Sequence, residues 1–388
     1  MASIFDESID RRNTGSCKWG GKENELPMWV ADMDFRSPEP VIEALSKRID
    51  HGVYGYAMPD EAWAKAYRDF YRDLYHWEFD PKDLHFVFSI VAAIYAAVGA
   101  YSKEGEEVVL MTPVYHHFFT PITHQNRIVR EVPLAFDGLN YSLDLAALEE
   151  AFASPNVKLC ILCNPHNPMG LIYEKEDIHA LISLAQKHHV VIFSDEIHGP
   201  ISHPGHPYVP FLSVEGASEV GVVAFSPSKA FNLAGLHTGA LLLPNQELAT
   251  PILDYLNRSV YEDPNVLSCI ASTTAYSQGR EWLKEMNEYV YDNRLYCERY
   301  LAEHAPKLHA IHGEATYLLW IDCREVCGED SDAFSAFLRE KTGLVISNGS
   351  AFGKCGRGFI RVNIATSRDR VKDGMERLVK GVSLYQGK

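Results

Sequence analysis

Residues 222–236 read VVAFSPSKAFNLAGL, and the organisation of the whole chain is best understood from this stretch. The apolar, β-branched residues 222–225 predict a strand, and the turn after it contains Ser226, Ser228 and Lys229. A lysine at the end of a strand can act as a Schiff-base amine, because desolvation or a neighbouring cation readily lowers its pKa. The two hydroxyls can hold a phosphate. The alternative is a solvated lysine in a surface turn, which the local sequence alone favours, so other stretches must decide.

Size and composition predict a globular enzyme with two domains. At 388 residues the chain is too long for one ordinary hydrophobic core. Hydrophobic residues make up 46% and charged residues 23%, close to the average for globular proteins. The formal net charge of −16 argues against a nucleic-acid surface, which needs a basic patch. No apolar run approaches the roughly 20 residues of a membrane span, and the first residues lack the apolar segment of a signal peptide, so we expect a cytoplasmic protein.

The eight cysteines are scattered along the chain, as expected for reduced thiols in the cytosol. Cys160 and Cys163 have the spacing of a metal or redox pair. They lie inside the apolar run LCILC, however, and no second pair stands at zinc spacing. We therefore expect them to be buried strand residues and predict no metal site.

Short apolar runs alternate with helical patterns from about residue 84 onward. The seven predicted strands are 85–88, 108–111, 128–134, 158–163, 190–194, 222–225 and 240–243. The helices predicted between them are 90–101, 143–152 and 175–189, each with apolar residues three or four apart. This alternation predicts an α/β fold with a mostly parallel seven-stranded sheet covered by helices on both faces. Ligands of such sheets bind beyond the carboxyl ends of the strands.

The two ends of the chain differ from this central pattern. Residues 1–45 are expected to form an N-terminal arm, in which the segment LPMWVADMDF (26–35) is most simply a strand packed on a domain. Residues 46–280 are expected to form the large domain. Residues 281–388 are expected to form a smaller α+β domain that the arm joins, with strands near 316–321 and 359–364 and helices near 332–342 and 368–383.

Four further loops after predicted strands contain residues suited to a ligand. Residues 88–93 lead into a helix whose free N–H groups suit an anion. Tyr115 can stack on a planar ring. Asn167 lies in a turn rich in Asn and Pro. Asp195 follows an apolar run, where a carboxylate needs a cationic partner. Each feature also has an ordinary explanation. Residues 88–93 can be a simple strand-to-helix turn and Tyr115 can be a core residue. Asn167 can serve only the turn, and Asp195 can be a helix cap.

Together with Lys229, these loops supply an amine, a phosphate cradle, a stacking ring, an amide and a carboxylate. Pyridoxal phosphate needs this set, because the amine holds its aldehyde and the acid keeps its ring nitrogen protonated. No GxGxxG follows the first strand and no GxxxxGK[ST] is present, so nucleotide cofactors fit less well.

The motifs resemble those of fold-type I pyridoxal-phosphate enzymes, the aspartate aminotransferase superfamily, and within it the MalY/PatB group of cystathionine β-lyases and cystalysin. The resemblance covers nearly the whole chain. Its most specific blocks are MWVADMDF, VYGY, TPVY, NPHNPMG, SDEIH, SPSKAFNLAGL and RGFIRVNIA. Any one block is a weak signal, whereas all of them in this order are a strong one.

The resemblance assigns a role to each matching residue. It makes Lys229 the Schiff-base lysine, Asp195 the partner of the pyridinium nitrogen, and Tyr115 the stacking aromatic. Arg361 corresponds to the arginine that grips the substrate α-carboxylate by a two-pronged contact. The remaining matches are Asn167 and His198 near the ring oxygen, Ser226, Ser228 and the backbone of Val91 and Ala92 at the phosphate, and Tyr56 reaching the phosphate of a neighbouring subunit in a homodimer.

Several positions depart from the pattern of the family. His237 stands where many aminotransferases carry a phosphate-binding arginine, which weakens the interpretation as a plain transaminase. His116 and His117 replace a common Pro-Pro pair, so neither the shape of the pocket mouth nor the identity of the substrate is predicted. Met169 and Ile90 replace a common threonine and glycine, and their effect is not predicted.

The resemblance implies a carbon–sulfur β-lyase that converts cystathionine or related S-substituted cysteines to a thiol, pyruvate and ammonia. Lys229 removes the Cα proton, and either Lys229 or Tyr115 protonates the leaving sulfur. An aminotransferase of class I or II is the alternative, with the same cofactor chemistry. A binding or regulatory protein that uses the fold as a scaffold is a second alternative, against which the intact Lys229, Asp195 and Arg361 argue.

Overall fold

A seven-stranded sheet organises the computed structural model, which describes residues 3–259 and 264–387. In spatial order its strands are Leu84–Val87, Gly239–Leu242, Gly221–Phe225, Val191–Asp195, Val157–Cys163, Glu107–Thr112 and Ile128–Pro133. Gly239–Leu242 runs antiparallel to both of its neighbours. The other neighbouring pairs are parallel. The predicted fold class and all seven predicted strands are therefore confirmed, and no strand end differs by more than one residue.

Helices cover both faces of this sheet because its strands are apolar on both sides. In the strand Glu107–Thr112, which is second from one edge of the sheet, Val108 and Leu110 pack into one core cluster, and Val109 and Met111 pack into the other. The helices of the described chain are Glu39–His51, Glu61–Tyr75, Ile90–Tyr101, Phe119–His124, Leu145–Phe152, Lys175–His188, Ala217–Val220, Pro227–Ala230, Gln246–Arg258, Val266–Gln278, Arg280–His304, Arg324–Cys327, Ser331–Thr342 and Arg368–Gln386. Of these, Ile90–Tyr101 and Gln246–Arg258 pack on one face, and Glu61–Tyr75 with Val266–Gln278 on the other.

A glycine allows the two helices on the first face to approach closely. A Cβ atom at Gly99 would lie 2.1 Å from the ring of Tyr255, a distance at which one group must move. The hydroxyl of Tyr255 donates to Gln125 Oε1 at 2.7 Å, which fixes the ring from its other end. The helix Ile90–Tyr101, whose first turn borders the candidate site, is thereby held in place.

A four-stranded antiparallel sheet lies apart from the large one, in the order His309–Ala310, Leu318–Asp322, Phe359–Asn363 and Ser347–Asn348. The N-terminal arm joins this region, because Leu26–Pro27 pairs in parallel with Leu344–Val345. A hairpin of Ala135–Phe136 and Tyr141–Ser142 completes the strands of the described residues. These contacts accord with the three-part division at residues 45 and 280, which we retain as a proposal.

One local expectation was wrong. Residues 26–35 do not form a full strand, because regular pairing ends at Pro27. Beyond Pro27, hydrogen bonds from side chains hold the segment in place of regular strand pairing. Asn363 Nδ2 donates to the carbonyls of Val30 and Asp32, and Arg361 Nη2 donates to the carbonyl of Trp29. Cys160 and Cys163 are buried in Val157–Cys163, which confirms the expectation for that pair. Among the described residues, no helix is both long and apolar enough to cross a membrane.

Candidate active site

A cavity of about 230 Å³ lies beyond the carboxyl ends of the central strands, where the loops of the parallel sheet converge. Most of the predicted site residues line it: Val91, Tyr115, Asn167, Asp195, His198, Ser226, Ser228 and Lys229. The loops that contain them are separated by up to about 140 positions in the sequence. The fold therefore brings one amine, one acid, three hydroxyl-bearing side chains and an amide to a single enclosed space.

Lys229 lies at the centre of the group. The strand Gly221–Phe225 is followed by Ser226, whose hydroxyl accepts from Ser228 N and so caps the short helix Pro227–Ala230. The lysine Nζ donates to the carbonyl oxygen of Ala31 at 2.7 Å. Burial lowers the pKa of Lys229 to about 8, opposed in part by the carboxylate of Asp32. Roughly one-tenth of the amine is therefore neutral at pH 7, far more than for an ordinary lysine, and the neutral form is the one that a nucleophile or base requires.

Asp195 ends the neighbouring strand Val191–Asp195 and is buried. Burial raises its pKa to about 7, although the N–H of Ile197 donates to its Oδ1 at 3.1 Å and the charge of Lys229 lowers the pKa somewhat. Desolvation therefore exceeds the compensation that the protein itself provides. A carboxyl group in this situation favours a bound cation, such as a protonated ring nitrogen.

Hydroxyls and backbone N–H groups meet at one end of the cavity. The Ser226 and Ser228 hydroxyl oxygens lie 2.8 Å apart, and the Ser226 hydroxyl donates to the carbonyl of Thr238, which also lines the cavity, at 2.6 Å. Val91 lies in the first turn of Ile90–Tyr101, where N–H groups have no partner within the helix. The predicted Ala92 differs, because its N–H already donates to Ser89 Oγ at 3.1 Å. This end suits an anion with several oxygens.

Arg361 projects from the smaller sheet and is buried on strand Phe359–Asn363. Its Nη1 donates to Asn167 Oδ1 at 3.0 Å, and its guanidinium lies 4.8 Å from the Phe352 ring centroid. Its Nε is buried without a partner among the described residues. Burial lowers the pKa of Arg361 to about 10, since only tyrosines oppose the desolvation. A guanidinium held in this way is suited to bind a carboxylate in the adjoining cavity.

Tyr115 and His198 are uncharged at neutral pH. Burial raises the pKa of Tyr115 to about 12. Burial, with the nearby cations Lys229 and Arg361, lowers the pKa of His198 to about 3, and its Nδ1 has no partner among the described residues. Both side chains can therefore contact a ring or donate a hydrogen bond without adding charge.

Among the predicted site residues, Tyr56 does not line the cavity and lies on the surface of the chain. Its side chain is 98% exposed, in the loop between Glu39–His51 and Glu61–Tyr75. Of the positions that depart from the family pattern, Ile90 and His237 line the cavity, His116 and His117 follow Tyr115 in a single turn, and Met169 is buried in the core.

The arm supplies site residues to which the sequence analysis gave no role. The carbonyl oxygen of Ala31 accepts from Lys229 and, at 2.9 Å, from the hydroxyl of buried Tyr317. Asp32 acts on the pKa of Lys229. The alternation of apolar and acidic residues in 26–35 was the available signal, because it fits neither a helix face nor an exposed loop.

The geometry of the site fits pyridoxal phosphate. An amine of low pKa, an uncompensated buried acid and a cradle of hydroxyl and N–H groups line one cavity, and the buried guanidinium of Arg361 is hydrogen-bonded to Asn167 in its lining. The family model for aminotransferase class I and II matches residues 27–378, and the chain therefore belongs to this family. The large mixed sheet is accordingly that of fold-type I pyridoxal-phosphate enzymes.

Within the family, the chain is similar to the cystathionine beta-lyase PatB of Bacillus subtilis (strain 168), with 34% identity over 98% of this chain and 100% of that protein. It is also similar to the structure of cystalysin from Treponema denticola, which contains a pyridoxal 5'-phosphate cofactor (TM-score 0.95, 28% identity, 99% of both chains). A pyridoxal-phosphate-bound C-S lyase from Staphylococcus hominis matches with a TM-score of 0.92 and 29% identity over 98% of both chains. The predicted resemblance to this group is confirmed.

Proposed function

We propose that this chain is a pyridoxal-phosphate-dependent carbon–sulfur β-lyase that cleaves cystathionine or related S-substituted cysteines to a thiol, pyruvate and ammonia. The observation that carries the proposal is the shared position of Lys229, Asp195 and Arg361 around one cavity, with the first two lining it and the third bonded to its Asn167. The names of the similar proteins support the same chemistry.

Each residue has a distinct task in this proposal. When bound, pyridoxal phosphate supplies an aldehyde for amines and an electron sink for charge that develops at the substrate Cα. Lys229 holds the cofactor, and Asp195 keeps the ring nitrogen protonated. Ser226, Ser228 and the Val91 N–H hold the phosphate, while Tyr115, Asn167 and His198 contact the ring and its oxygen.

Arg361 binds the substrate α-carboxylate and so orients the Cα–H bond toward the amine of Lys229. Lys229 then takes the Cα proton, for which a pKa near 8 is well matched at neutral pH. The same amine is the better donor for the leaving thiolate, because a pKa of about 12 makes Tyr115 a much weaker acid. The carbonyl oxygen of Ala31, 2.7 Å from Nζ, provides a fixed position for the amine between these two proton transfers.

The direct test is to incubate the purified holoenzyme with cystathionine and measure free thiol and pyruvate. We expect both products in equal amounts. Lys229→Ala should lower kcat by about 10²–10⁴-fold, the usual contribution of a general base. Lys284→Ala is the matched control, because its side chain is 66% exposed and should leave turnover unchanged. Full turnover by the Lys229 variant would contradict the assignment.

Transamination is the second candidate, because the matching family model describes aminotransferases. Adding a 2-oxo acid to the same reaction separates the two activities: a lyase releases thiol, whereas an aminotransferase forms a new amino acid. His237, at the position where many aminotransferases have arginine, favours the lyase.

We further propose a cytoplasmic homodimer in which Tyr56 reaches the phosphate of the other subunit. The exposed apolar residues around it, Val53 and Met58 at 61% and 72%, support a covered surface there. The free thiols of all eight cysteines support a reducing compartment. Light scattering at several concentrations measures the oligomeric state directly.

A further inference from the structure

The residue after Asp195 is a second buried acid, Glu196, to which the proposed mechanism gives no role. Its side chain is fully buried and does not line the cavity, because successive residues at a strand end point to opposite sides. Burying a carboxylate is strongly unfavourable unless hydrogen bonds or a cation compensate. Among the described residues the compensation comes from hydrogen-bond donors alone, and burial raises the pKa of Glu196 to about 7.

Four donors converge on this carboxylate from three segments of the chain. Its Oε1 accepts from Phe211 N at 2.7 Å, from Ser194 Oγ at 3.0 Å and from Asn164 Nδ2 at 3.2 Å. Its Oε2 accepts from the Tyr208 hydroxyl at 3.1 Å. Glu196 thus connects the end of one strand, the turn that follows its neighbour and a distant loop.

These segments are the ones that carry the cavity residues. Asn164 stands three positions before Asn167, and its own N–H donates to the carbonyl of Asp195 at 2.9 Å. On the other side, Gly199 N donates to the Glu196 carbonyl at 2.9 Å, which closes a turn around His198. The geometry of three cavity side chains therefore depends on the position of Glu196.

The surrounding packing leaves this connection little freedom. A Cβ atom at Gly199 would lie 2.5 Å from the ring of Tyr208, so the turn after Glu196 lies directly against the ring whose hydroxyl binds the carboxylate. The N–H of Glu196 donates to the Ala224 carbonyl at 2.9 Å, which joins the segment to the strand before Lys229.

We infer that Glu196 is a positioning residue, whose buried carboxylate fixes the segments carrying Asp195, Asn167 and His198 at the geometry that the cofactor ring requires. The inference rests on the proposed function. The carboxylate acts through these three residues and does not touch the cofactor or the substrate. Replacing a residue with a purely structural role would change only the stability of the fold. Replacing a positioning residue also changes cofactor binding in molecules that are folded.

The test compares Glu196→Gln with Tyr208→Phe, which removes the hydroxyl that donates to Glu196 and keeps the ring. Asp322→Asn is the matched control, because Asp322 is also buried but pairs with Arg324 at 2.6 Å in the smaller sheet. The measurements are the dissociation constant of pyridoxal phosphate from its visible absorbance, the pH profile of that absorbance, kcat/KM, and the thermal midpoint of each apoprotein.

We expect Glu196→Gln to weaken cofactor binding about tenfold, to shift the pH profile and to lower kcat/KM about 10- to 100-fold, the scale of a displacement near 1 Å. Tyr208→Phe should change the same quantities in the same direction by less, and Asp322→Asn should change only the thermal midpoint. If both test variants bind the cofactor with wild-type affinity and pH profile, the inference is overturned while the proposed function stands. If the wild-type chain does not bind pyridoxal phosphate, the proposed function itself fails.

Discussion

Replacing Asp195 by asparagine should stabilise the apoprotein while it abolishes efficient catalysis. The pKa of this carboxyl is about 7 in the folded chain and 3.8 in an unfolded one. A difference of about 3 corresponds to about 4 kcal/mol, since each pKa unit is worth about 1.4 kcal/mol. Asparagine has the same shape and can still accept from Ile197 N, so we expect the variant to gain between about 1 and 4 kcal/mol at pH 8.

The pH dependence of the free energy of unfolding is a second test of the sign of this stability change. Because the folded pKa of Asp195 is raised, wild-type stability is highest when the acid is protonated in both states. It falls as pH rises from 3.8 to about 7 and is constant above that range. The stability difference between variant and wild type should therefore be near zero at pH 4, grow up to pH 7 and then remain level. Urea unfolding of both apoproteins at several pH values measures this difference.

Asp34→Asn is the matched control with the opposite sign. Asp34 is equally buried but has cations beside it, with Lys18 Nζ at 3.0 Å and Arg11 Nη1 at 2.8 Å. Its pKa is lowered, because these neighbours outweigh the desolvation that opposes them. Removing this charge should destabilise the protein by about 3–5 kcal/mol above pH 4.

The functional half of the prediction concerns the holoenzyme. Asp195→Asn should reduce kcat at least about 100-fold, because a preorganised charge in the site is lost. The combination of higher stability and lower activity is typical of residues selected for function at the expense of folding. An Asp195→Asn apoprotein that is less stable than wild type at pH 8, or a difference that does not change between pH 4 and 7, would refute the reasoning.

Three further predictions follow from the same geometry. Arg361→Lys should raise KM for the amino acid at least about tenfold and leave cofactor absorbance unchanged, because an ammonium cannot make the two-pronged contact; steady-state kinetics with an unchanged KM would contradict this. Tyr56→Phe should weaken cofactor binding in the proposed homodimer, and mixing it with the Lys229→Ala variant should restore one complete site per mixed dimer, measured as recovered turnover. Gly99→Ala should destabilise the chain by about 1–3 kcal/mol through its contact with Tyr255, with the urea midpoint as the measure.

The large sheet could be predicted from the sequence because its strands are buried on both faces. Segments such as 158–163 read as continuous apolar runs, and the helices between them have a clear periodicity. The strand ends were less accurate, since residues such as Glu107 and Asp195 pair through their backbones although their side chains are polar. Patterns of hydrophobicity carry no information about such terminal pairs.

The arm was the main failure, and its cause is physical. Residues 28–35 are held by side chains from distant positions, including Asn363 and Asn232, whose Nδ2 donates to the carbonyls of Met33 and Phe35. No local pattern encodes a hydrogen-bond donor more than 190 positions away. The site residues after central strands were easier to predict, because parallel strands bring their carboxyl ends together wherever the connecting helices go.

The electrostatics of the cavity explain why the apoprotein and the holoenzyme should differ in stability. Lys229 and Arg361 have lowered pKa values and Asp195 a raised one, and in each case burial is the largest cause. The charged forms of these groups therefore destabilise the empty fold. A phosphate, a protonated ring nitrogen and a substrate carboxylate are complementary to the hydroxyl cradle, to Asp195 and to Arg361. Ligands that bind only the folded chain stabilise it by about 2.7 kcal/mol at a concentration 100 times the dissociation constant. Pairing with Asp195 should also remove the loss of stability between pH 4 and 7, because the partner cation lowers the pKa of the acid toward its unfolded value.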